Sequence, residues 1–424
     1  MTTTQTTRSG WRRHTIDLRP LRHQPYRRLF TSSAASNFGF QFTAVAVPVQ
    51  MFALTRSSFW VGLIGVAGLL PLLIFGIWGG AVSDAVDRRK LLLASSTLQF
   101  VTTLALLVQA LLGVRSPELL LVLVAGQAGA FAISGPTRRA MLPRLVSPAE
   151  LPAANTLDTT MFNGAMVAGP LAAGVLVASA GVGAAYAVDA LAFGVVLWAT
   201  LRLPSVPPTN GGQRAGLRDI KDGLVFIAAS PVLLLSFAVD IAAMVLAMPR
   251  ALFPQVAAER FGGEAAIGWL FSAIAIGSVL AGLTSGWIGR VRRQGLALVL
   301  AVVVWGLAVG AAGLAHSLWL AVALLALGGA ADLVSAVYRQ TILQTYAPDQ
   351  LQGRLQGVFI AVVAGGPRLG DLRAGTMAAA WGVSVSWAGG GLAAAVVALI
   401  VALSFPALLR WTRPEPRPAH ADPR

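Results

Sequence analysis

Several ionisable residues stand inside apolar stretches of this 424-residue chain, where a charge is costly and therefore usually has a task. The densest group is GGPRLGDLRAG, residues 365–375, which contains Arg368, Asp371 and Arg373. A carboxyl group in such a place can bind and release protons, and a guanidinium can bind an anion or a polar oxygen. Single aspartates interrupt three other apolar stretches: Asp189, Asp240 and Asp332.

The elements that position these residues are membrane-spanning helices. Hydrophobic residues make up 56% of the chain and charged residues only 12%, against roughly 25% charged in soluble domains, and the mean hydropathy is +0.72. A helix needs about 20 apolar residues to cross a bilayer. The sequence predicts twelve such spans, at 29–53, 59–82, 91–113, 119–140, 157–179, 183–203, 228–251, 266–289, 295–315, 318–341, 355–379 and 384–409.

The basic residues orient these spans. If both termini are cytoplasmic, 26 of the 32 Lys and Arg fall on the cytoplasmic side, as expected for multi-pass proteins of cell membranes, and four fall in outer loops: Arg56, Arg115, Arg250 and Arg260. The net charge of +15 then reflects loops that face an anionic leaflet of the lipid bilayer. We expect no nucleic-acid partner, because no compact soluble domain is present to use the charge.

The chain consists of two similar halves. RRAMLPRLVSPAEL, which ends at Leu151, aligns with YRQTILQTYAPDQL, which ends at Leu351, and Arg139 then matches Arg339. This repeat predicts an all-α fold of two parallel six-helix units. The predicted organisation is a cytoplasmic N-terminal segment 1–28, a first half 29–203, a cytoplasmic linker 204–227, a second half 228–409 and a cytoplasmic tail 410–424.

Enzymatic chemistry is not indicated. The chain has no cysteine, and its four histidines are scattered over the termini and one loop, so we expect no metal site and no cofactor. No G-x-x-x-x-G-K-[ST] loop is present to bind a nucleotide. Nothing in the sequence requires more than a monomer.

The loop after the second span carries a motif. In GGAVSDAVDRRK, the residues Gly80, Asp84, Arg88 and Arg89 match the pattern G-x-x-x-D-(R/K)-x-G-R-(R/K) that major facilitator transporters carry there, while Ala85 and Asp87 depart from it. An acid beside arginines at a helix end can form a cytoplasmic gate. The alternative is a basic stop for the second span, which needs no aspartate.

A second motif lies in the fifth span. NGAMVAGPLAAG resembles the antiporter motif G-x-x-x-G-P-x-x-G-G of the same superfamily, with Gly164, Gly169, Pro170 and Gly174 in place and Ala173 for one glycine. The resemblance implies export by exchange. Close helix packing alone would select such a run as well.

Further stretches resemble the enterobactin exporter branch of the major facilitator superfamily: VAVPVQ, IGWLFSAIAIGSVLAGLTSG and TILQTYAPDQLQGRLQGV. The resemblance implies a proton-coupled, alternating-access exporter of a small amphiphilic molecule, of which a siderophore is the first candidate. A multidrug or antibiotic efflux pump is the alternative, since related members export drugs. A receptor-like protein that has lost transport is a third class.

The resemblance also implies roles for residues. Spans 1, 4, 7 and 10 line the central cavity in this superfamily, and spans 2, 5, 8 and 11 flank it. Asp240, Asp332 and Asp371 are the proton-coupling candidates, and the substrate-binding candidates are Arg368, Asn37, Gln41 and Gln127.

The segment GGPRLGDLRAG has two interpretations. Arg368 and Asp371 are three residues apart on one helical face and can pair with each other, which would make them a structural ion pair. Alternatively, Arg368 binds an anionic or catechol-bearing substrate while Asp371 exchanges partners as protons bind. Arg373 lies on another face, where we expect it to extend to the outer surface.

Overall fold

The protein is described by a computed structural model that covers residues 17–207, 225–346 and 352–412, with the side chains at 77–85, 352–354, 356–357 and 360–361 left out. Within these ranges all regular structure is helical. The predicted linker 204–227 therefore lies largely outside the described residues, as do most of the N-terminal segment and of the tail.

The first half contains five long helices. Their bounds are α1 Gln24–Thr55, α2 Ser58–Ala85, α3 Arg88–Leu111, α4 Pro117–Met141 and α5 Leu151–Leu201. The second half contains α6 Pro231–Ala247, α7 Phe253–Glu259, α8 Ala265–Leu283, α9 Gln294–Leu314, α10 Leu318–Tyr346, α11 Gln352–Trp381, α12 Val383–Ser404 and the short α13 Pro406–Leu409.

These helices account for the twelve predicted spans. Ten helical segments are long and apolar enough to cross a membrane, and one of them, α5, has 51 residues and carries two spans. The twelfth span is α11, whose 30 residues suffice to cross although charged residues lower its apolarity. The fold is thus an all-α membrane fold of twelve spans in two halves.

Two glycines mark equivalent joints in the halves. Gly181 breaks α5 with φ 78° and ψ 174°, and Gly382 separates α11 from α12 with φ 88° and ψ 158°. Only glycine adopts this backbone conformation without strain. Each joint lets the chain reverse between two spans without a loop.

The predicted seventh span, 228–251, is broken. Helix α6 ends at Ala247, a 3₁₀ turn covers Arg250–Leu252, and α7 follows. Pro249 precedes the turn and lacks the N–H that a continuous helix would use. The break turns Arg250, expected in an outer loop, toward the interior of the bundle.

The halves meet along two helix pairs, α2 with α11 and α5 with α8. Glycines allow the close approach, because a Cβ at Gly62 would lie 2.6 Å from the carbonyl oxygen of Asp371, and one at Gly174 would lie 2.6 Å from the Cα of Gly268. These are the four spans expected to flank the cavity.

The described contacts between the halves lie toward one end of the bundle. We call this the distal end, opposite the basal end at which α1 begins and α12 ends. Near the distal end, the Ser58 hydroxyl donates a hydrogen bond of 2.6 Å to Gln255 Oε1, and the Ser272 hydroxyl donates one of 2.9 Å to the carbonyl of Val167. We call this set of contacts the distal seam.

Candidate functional site

A cavity of about 430 Å³ lies between the halves, beside the distal seam. It extends along α2 from Val61 to Leu72, and α1, α4, α5, α8, α11 and the turn after α6 complete its walls. The walls are largely apolar, and aromatic rings from three helices belong to them: Phe40, Phe131 and Phe271. The rings of Phe40 and Phe131 stack with centroids 6.0 Å apart.

Three charged residues line this cavity: Arg250, Arg368 and Asp371. Arg250 comes from the turn after α6, and the other two come from α11. Both arginines interact electrostatically with Asp371. Two cations and one carboxylate give the cavity wall a surplus of positive charge.

The ion pair that one of the two interpretations placed within α11 is not formed among the described side chains. Asp371 Oδ1 accepts a hydrogen bond of 3.2 Å from the backbone N–H of Ala251, and no ion pair with Arg368 occurs among the described side chains. The turn at Arg250–Leu252 supplies this N–H and thereby competes for the carboxylate. Arg368 makes no hydrogen bond to any described residue and borders the cavity instead.

Arg373 differs from its predicted position at the outer surface. Its guanidinium lies between α6 and α12, where Nε donates to the carbonyl of Val245 at 3.2 Å and Nη1 donates to the carbonyl of Ser386 at 3.0 Å. The guanidinium also fills the space beside Gly390. Arg373 therefore bridges α6 and α12, because its guanidinium donates to a backbone carbonyl of each helix.

Asp240 and Asp332 occupy different environments. Asp240 is 2% exposed and forms an ion pair with Arg339 of α10, which is equally buried and lies 5.7 Å from the ring centroid of Phe359. Asp332 is half-buried and interacts electrostatically with Arg250. Arg250 thus links Asp332 to the charged cavity wall, whereas Asp240 is not among the described residues that line the cavity.

The three neutral substrate-binding candidates differ in their positions relative to the cavity. Gln41 and Gln127 line the cavity, and Gln41 donates to Met166 Sδ at 2.9 Å while Gln127 donates to the Thr103 hydroxyl at 3.0 Å. Asn37 donates to the carbonyl of Ser33 within its own helix at 2.8 Å. Asn37 does not belong to the described cavity wall.

The antiporter motif has a packing role at two positions. A Cβ at Gly169 would lie 2.6 Å from Cβ of Gln41, so this glycine makes room for a cavity residue. Gly174 allows the contact with α8, and Pro170 lines the cavity. A Cβ at Gly164 would meet nothing within 4 Å.

The gate motif is described only in part. The side chains of Gly80 and Asp84 lie outside the described residues, and α2 continues to Ala85. Arg88 is buried, and Arg89 donates through Nη2 to the carbonyl of Leu201 at 2.5 Å.

Asp87, which departs from the motif, is the N-cap of α3. Its carboxylate accepts hydrogen bonds from the Arg89 N–H at 2.8 Å, from the Val206 N–H at 3.4 Å and from the Ser205 hydroxyl. Burial raises the pKa of this carboxyl, but the hydrogen bonds from Ser205 and from backbone N–H groups outweigh burial and hold the pKa below its ordinary value. The loop is thereby tied to the end of α5. The sequence signal for this cap was an aspartate directly before a helix, since aspartate is a preferred N-cap residue.

These features define a membrane transporter of the major facilitator fold, with two six-helix halves and a charged, aromatic cavity between them. The chain belongs to the transmembrane secretion effector family, whose sequence profile matches residues 15–415. It is 30% identical over 406 residues to the enterobactin exporter EntS of Citrobacter koseri, an alignment that covers 93% of this chain and 95% of that protein.

Solved structures share the fold. The nucleoside transporter NupG superposes with a TM-score of 0.72 at 16% identity, covering 91% of this chain and 99% of that one. A bacterial homologue of the iron transporter ferroportin, in an inward-facing state, superposes with a TM-score of 0.68 at 17% identity, covering 91% and 98%. The chain is a multi-pass membrane protein and not an enzyme.

Proposed function

We propose that this protein exports a catechol-bearing siderophore of the enterobactin type across the cell membrane, in exchange for protons. The relative from Citrobacter koseri is named an enterobactin exporter and aligns over nearly the whole chain. The protein works as a monomer in the lipid bilayer, with both termini in the cytoplasm, so that the basal end is the cytoplasmic one.

The observation that carries the proposal is the composition of the cavity wall. Arg250 and Arg368 offer guanidinium donors to the amide and hydroxyl oxygens of a catecholate ligand. Phe40, Phe131 and Phe271 offer faces and edges for the catechol rings. A lipophilic cation would instead meet a surplus of like charge.

In the proposed cycle, the distal seam stays closed during loading, and the route into the cavity runs from the basal end. Substrate from the cytoplasm enters by this route. Separation of the distal seam and closure of the basal end then release the substrate outside, as alternating access requires.

Asp371 couples the two fluxes. When ionised, its carboxylate accepts hydrogen bonds from catechol hydroxyls, and when protonated it loses most of that capacity. Substrate and proton therefore compete for the same group. Asp332 takes part through Arg250, which interacts with both carboxyls. Asp240 contributes only if Arg339 leaves it during the cycle.

The test uses inverted membrane vesicles with an acidic lumen and an enclosed pH-sensitive dye. Iron-free enterobactin added outside should accelerate loss of lumenal protons, and Asp371→Asn should abolish this acceleration. A matched control is Asp17→Asn, which changes an exposed aspartate that pairs with Arg19.

Two results would contradict the proposal. Acceleration by a lipophilic cationic drug alone would identify a multidrug pump. Uptake of enterobactin without movement of protons would agree with the proposed substrate and contradict the proposed exchange for protons.

A further inference from the structure

A buried carboxyl outside the charged cavity wall lies in the second part of α5. Asp189 is 0% exposed. Its Oδ2 accepts hydrogen bonds from the Thr43 hydroxyl of α1 at 2.5 Å and from the Thr103 hydroxyl of α3 at 3.3 Å. Its Oδ1 has no partner among the described residues.

No cation among the described side chains compensates this carboxyl. The groups that face it are Thr43 and Gly39 from α1, Thr103 from α3 and Gln127 from α4. Tyr186, one turn earlier on the same helix, is the titratable neighbour among the described residues, and its hydroxyl is engaged by Gln50 Oε1 at 2.7 Å. An ionised carboxylate in this position would have two hydroxyl donors and no opposite charge.

Burial of an unpaired charge is far more costly than burial of a neutral acid. The neutral, protonated form is therefore the one that this environment accommodates. Gly39 supports the arrangement, because a Cβ there would come within 2.7 Å of Asp189 Oδ1 and 2.6 Å of Ala192 Cβ.

A hydrogen-bonded path joins this carboxyl to the transport cavity. Thr43 bonds to Asp189 and also lines the cavity. A second path runs from Asp189 through Thr103 to Gln127, which is likewise a cavity residue. A proton carried on Oδ2 can leave through the Thr43 hydroxyl when that hydroxyl turns its own proton toward water in the cavity and accepts the one from Asp189.

We propose that Asp189 is a proton-carrying group of the first half, which exchanges its proton with the central cavity through Thr43. This inference rests on the proposed proton-coupled export and adds a carrier to the carboxyls of the second half. The proton stays on Asp189 while the site is occluded. It leaves when a rearrangement of α1 against α5 admits water to the Thr43 hydroxyl.

The first measurement is an infrared difference spectrum between acidic and alkaline pH, on the full chain in lipid nanodiscs. The wild-type spectrum should contain a carbonyl band of a protonated carboxyl that Asp189→Asn removes. The matched control, Asp158→Asn, alters another aspartate of α5 that Tyr26 contacts, and should keep the band. A band of equal intensity in wild type and Asp189→Asn would overturn the proposal.

The second measurement is transport of iron-free enterobactin in the same vesicles as above. Because asparagine imitates the neutral acid, Asp189→Asn should retain counterflow exchange of labelled enterobactin and lose at least tenfold in proton-driven uptake. Equal losses in both assays would indicate a structural role and contradict the proposal. If wild type itself exchanges enterobactin without moving protons, the proposed antiport fails, while the infrared band still reports on Asp189.

A further variant covers the case in which Asp189→Asn does not fold. Thr43→Val keeps the carboxyl and removes the hydroxyl that joins it to the cavity. It should slow the appearance of the infrared change after a pH jump by at least tenfold, and Thr43→Ser should restore the rate. Unchanged rates in Thr43→Val would show that the proton does not take this path.

Discussion

Gly65 of α2 lies directly against the backbone of Arg368 in α11. A Cβ at Gly65 would approach the carbonyl oxygen of Arg368 to 2.6 Å and its Cα to 3.3 Å. The position of a charged cavity residue is thus set by a glycine of the other half. Movement of one half against the other must therefore move Arg368 relative to the α2 wall of the cavity.

Gly65→Ala should impair transport because the added methyl group increases the distance between α2 and α11. Because the obstructing atom belongs to backbone, relief requires a helix shift, and overpacking of this kind costs about 1 to 3 kcal/mol. We expect a lower transport rate and a lower melting temperature by circular dichroism. Gly76→Ala is the matched control, since a Cβ there meets nothing within 4 Å. Equal behaviour of the two variants would show that the contact is unimportant.

Arg368→Gln and Arg373→Gln should fail in different ways. Arg368 faces the cavity, so its loss should raise KM for enterobactin about tenfold or more, the effect of one charge-assisted hydrogen bond of about 1.5 to 3 kcal/mol. Arg373 bonds two carbonyls between helices, so its loss should lower thermal stability. Transport kinetics and thermal melts on the same preparations separate the effects. A lowered melting temperature with unchanged KM in Arg368→Gln would assign it a structural role.

Asp240→Asn should destabilise the second half strongly. It leaves Arg339 charged and buried without its partner, and removal of one member of a buried pair typically costs about 3 to 5 kcal/mol. The double variant Asp240→Asn with Arg339→Gln should recover most of the loss, because no unpaired charge remains. Thermal denaturation followed by circular dichroism checks both. Additive losses in the double variant would argue against a coupled pair.

The Asp87 cap should make stability depend on pH. Since the folded-state pKa lies below the ordinary value of about 3.9, the stabilisation is complete above that value and is lost as pH falls through the folded-state pKa. Asp87→Ala should lower stability by about 1 kcal/mol near neutral pH, the usual worth of an N-cap. Melts at neutral and acidic pH should show the gap between wild type and variant narrowing with acid. Ser205→Ala, which removes the donor of one bond, should reproduce part of the loss.

Hydropathy was sufficient to predict the spans, and the internal repeat was sufficient to predict the two halves. Apolar length defines spans because every backbone polar group inside a bilayer must be bonded within its own helix. The twelve spans therefore follow from local sequence, whereas the halves follow from the likeness of two segments far apart in the chain. The breaks between spans predicted reversals near Gly181 and Gly382, but the role of the two glycines was not predicted, although both precede a valine at equivalent positions. A single glycine is too common in such sequences to identify a joint.

The position of the candidate residues was predictable only in part. Arg368, Asp371, Gln41 and Gln127 line the cavity, whereas Asn37, Asp240 and Asp332 are not among its described lining residues. Polar residues in apolar spans tend to face a polar partner or space, and either one satisfies that tendency. Their partners were not predictable. Asp371 accepts a hydrogen bond from the N–H of Ala251, where one interpretation had paired it with Arg368, and which helices meet depends on packing between distant segments.

Arg250 is a cavity residue that the sequence did not predict. Its position near the end of an apolar stretch suggested an outer loop, and only the break beside Pro249 brings it to the cavity. The proline was visible in the sequence. Its consequence for the direction of the arginine depends on how the 3₁₀ turn packs against α2 and α11.

The described contacts of the distal seam join uncharged groups. Glycines pack against backbone atoms, and hydroxyls donate to amide or carbonyl oxygens. Dissolved ions weaken attraction between exposed charges over about 8 to 10 Å, and they have no comparable effect on van der Waals contact. The seam should therefore hold equally well in dilute and in saline surroundings. In a cell exposed to fluctuating salinity, the distal seam should therefore stay closed at every salt concentration.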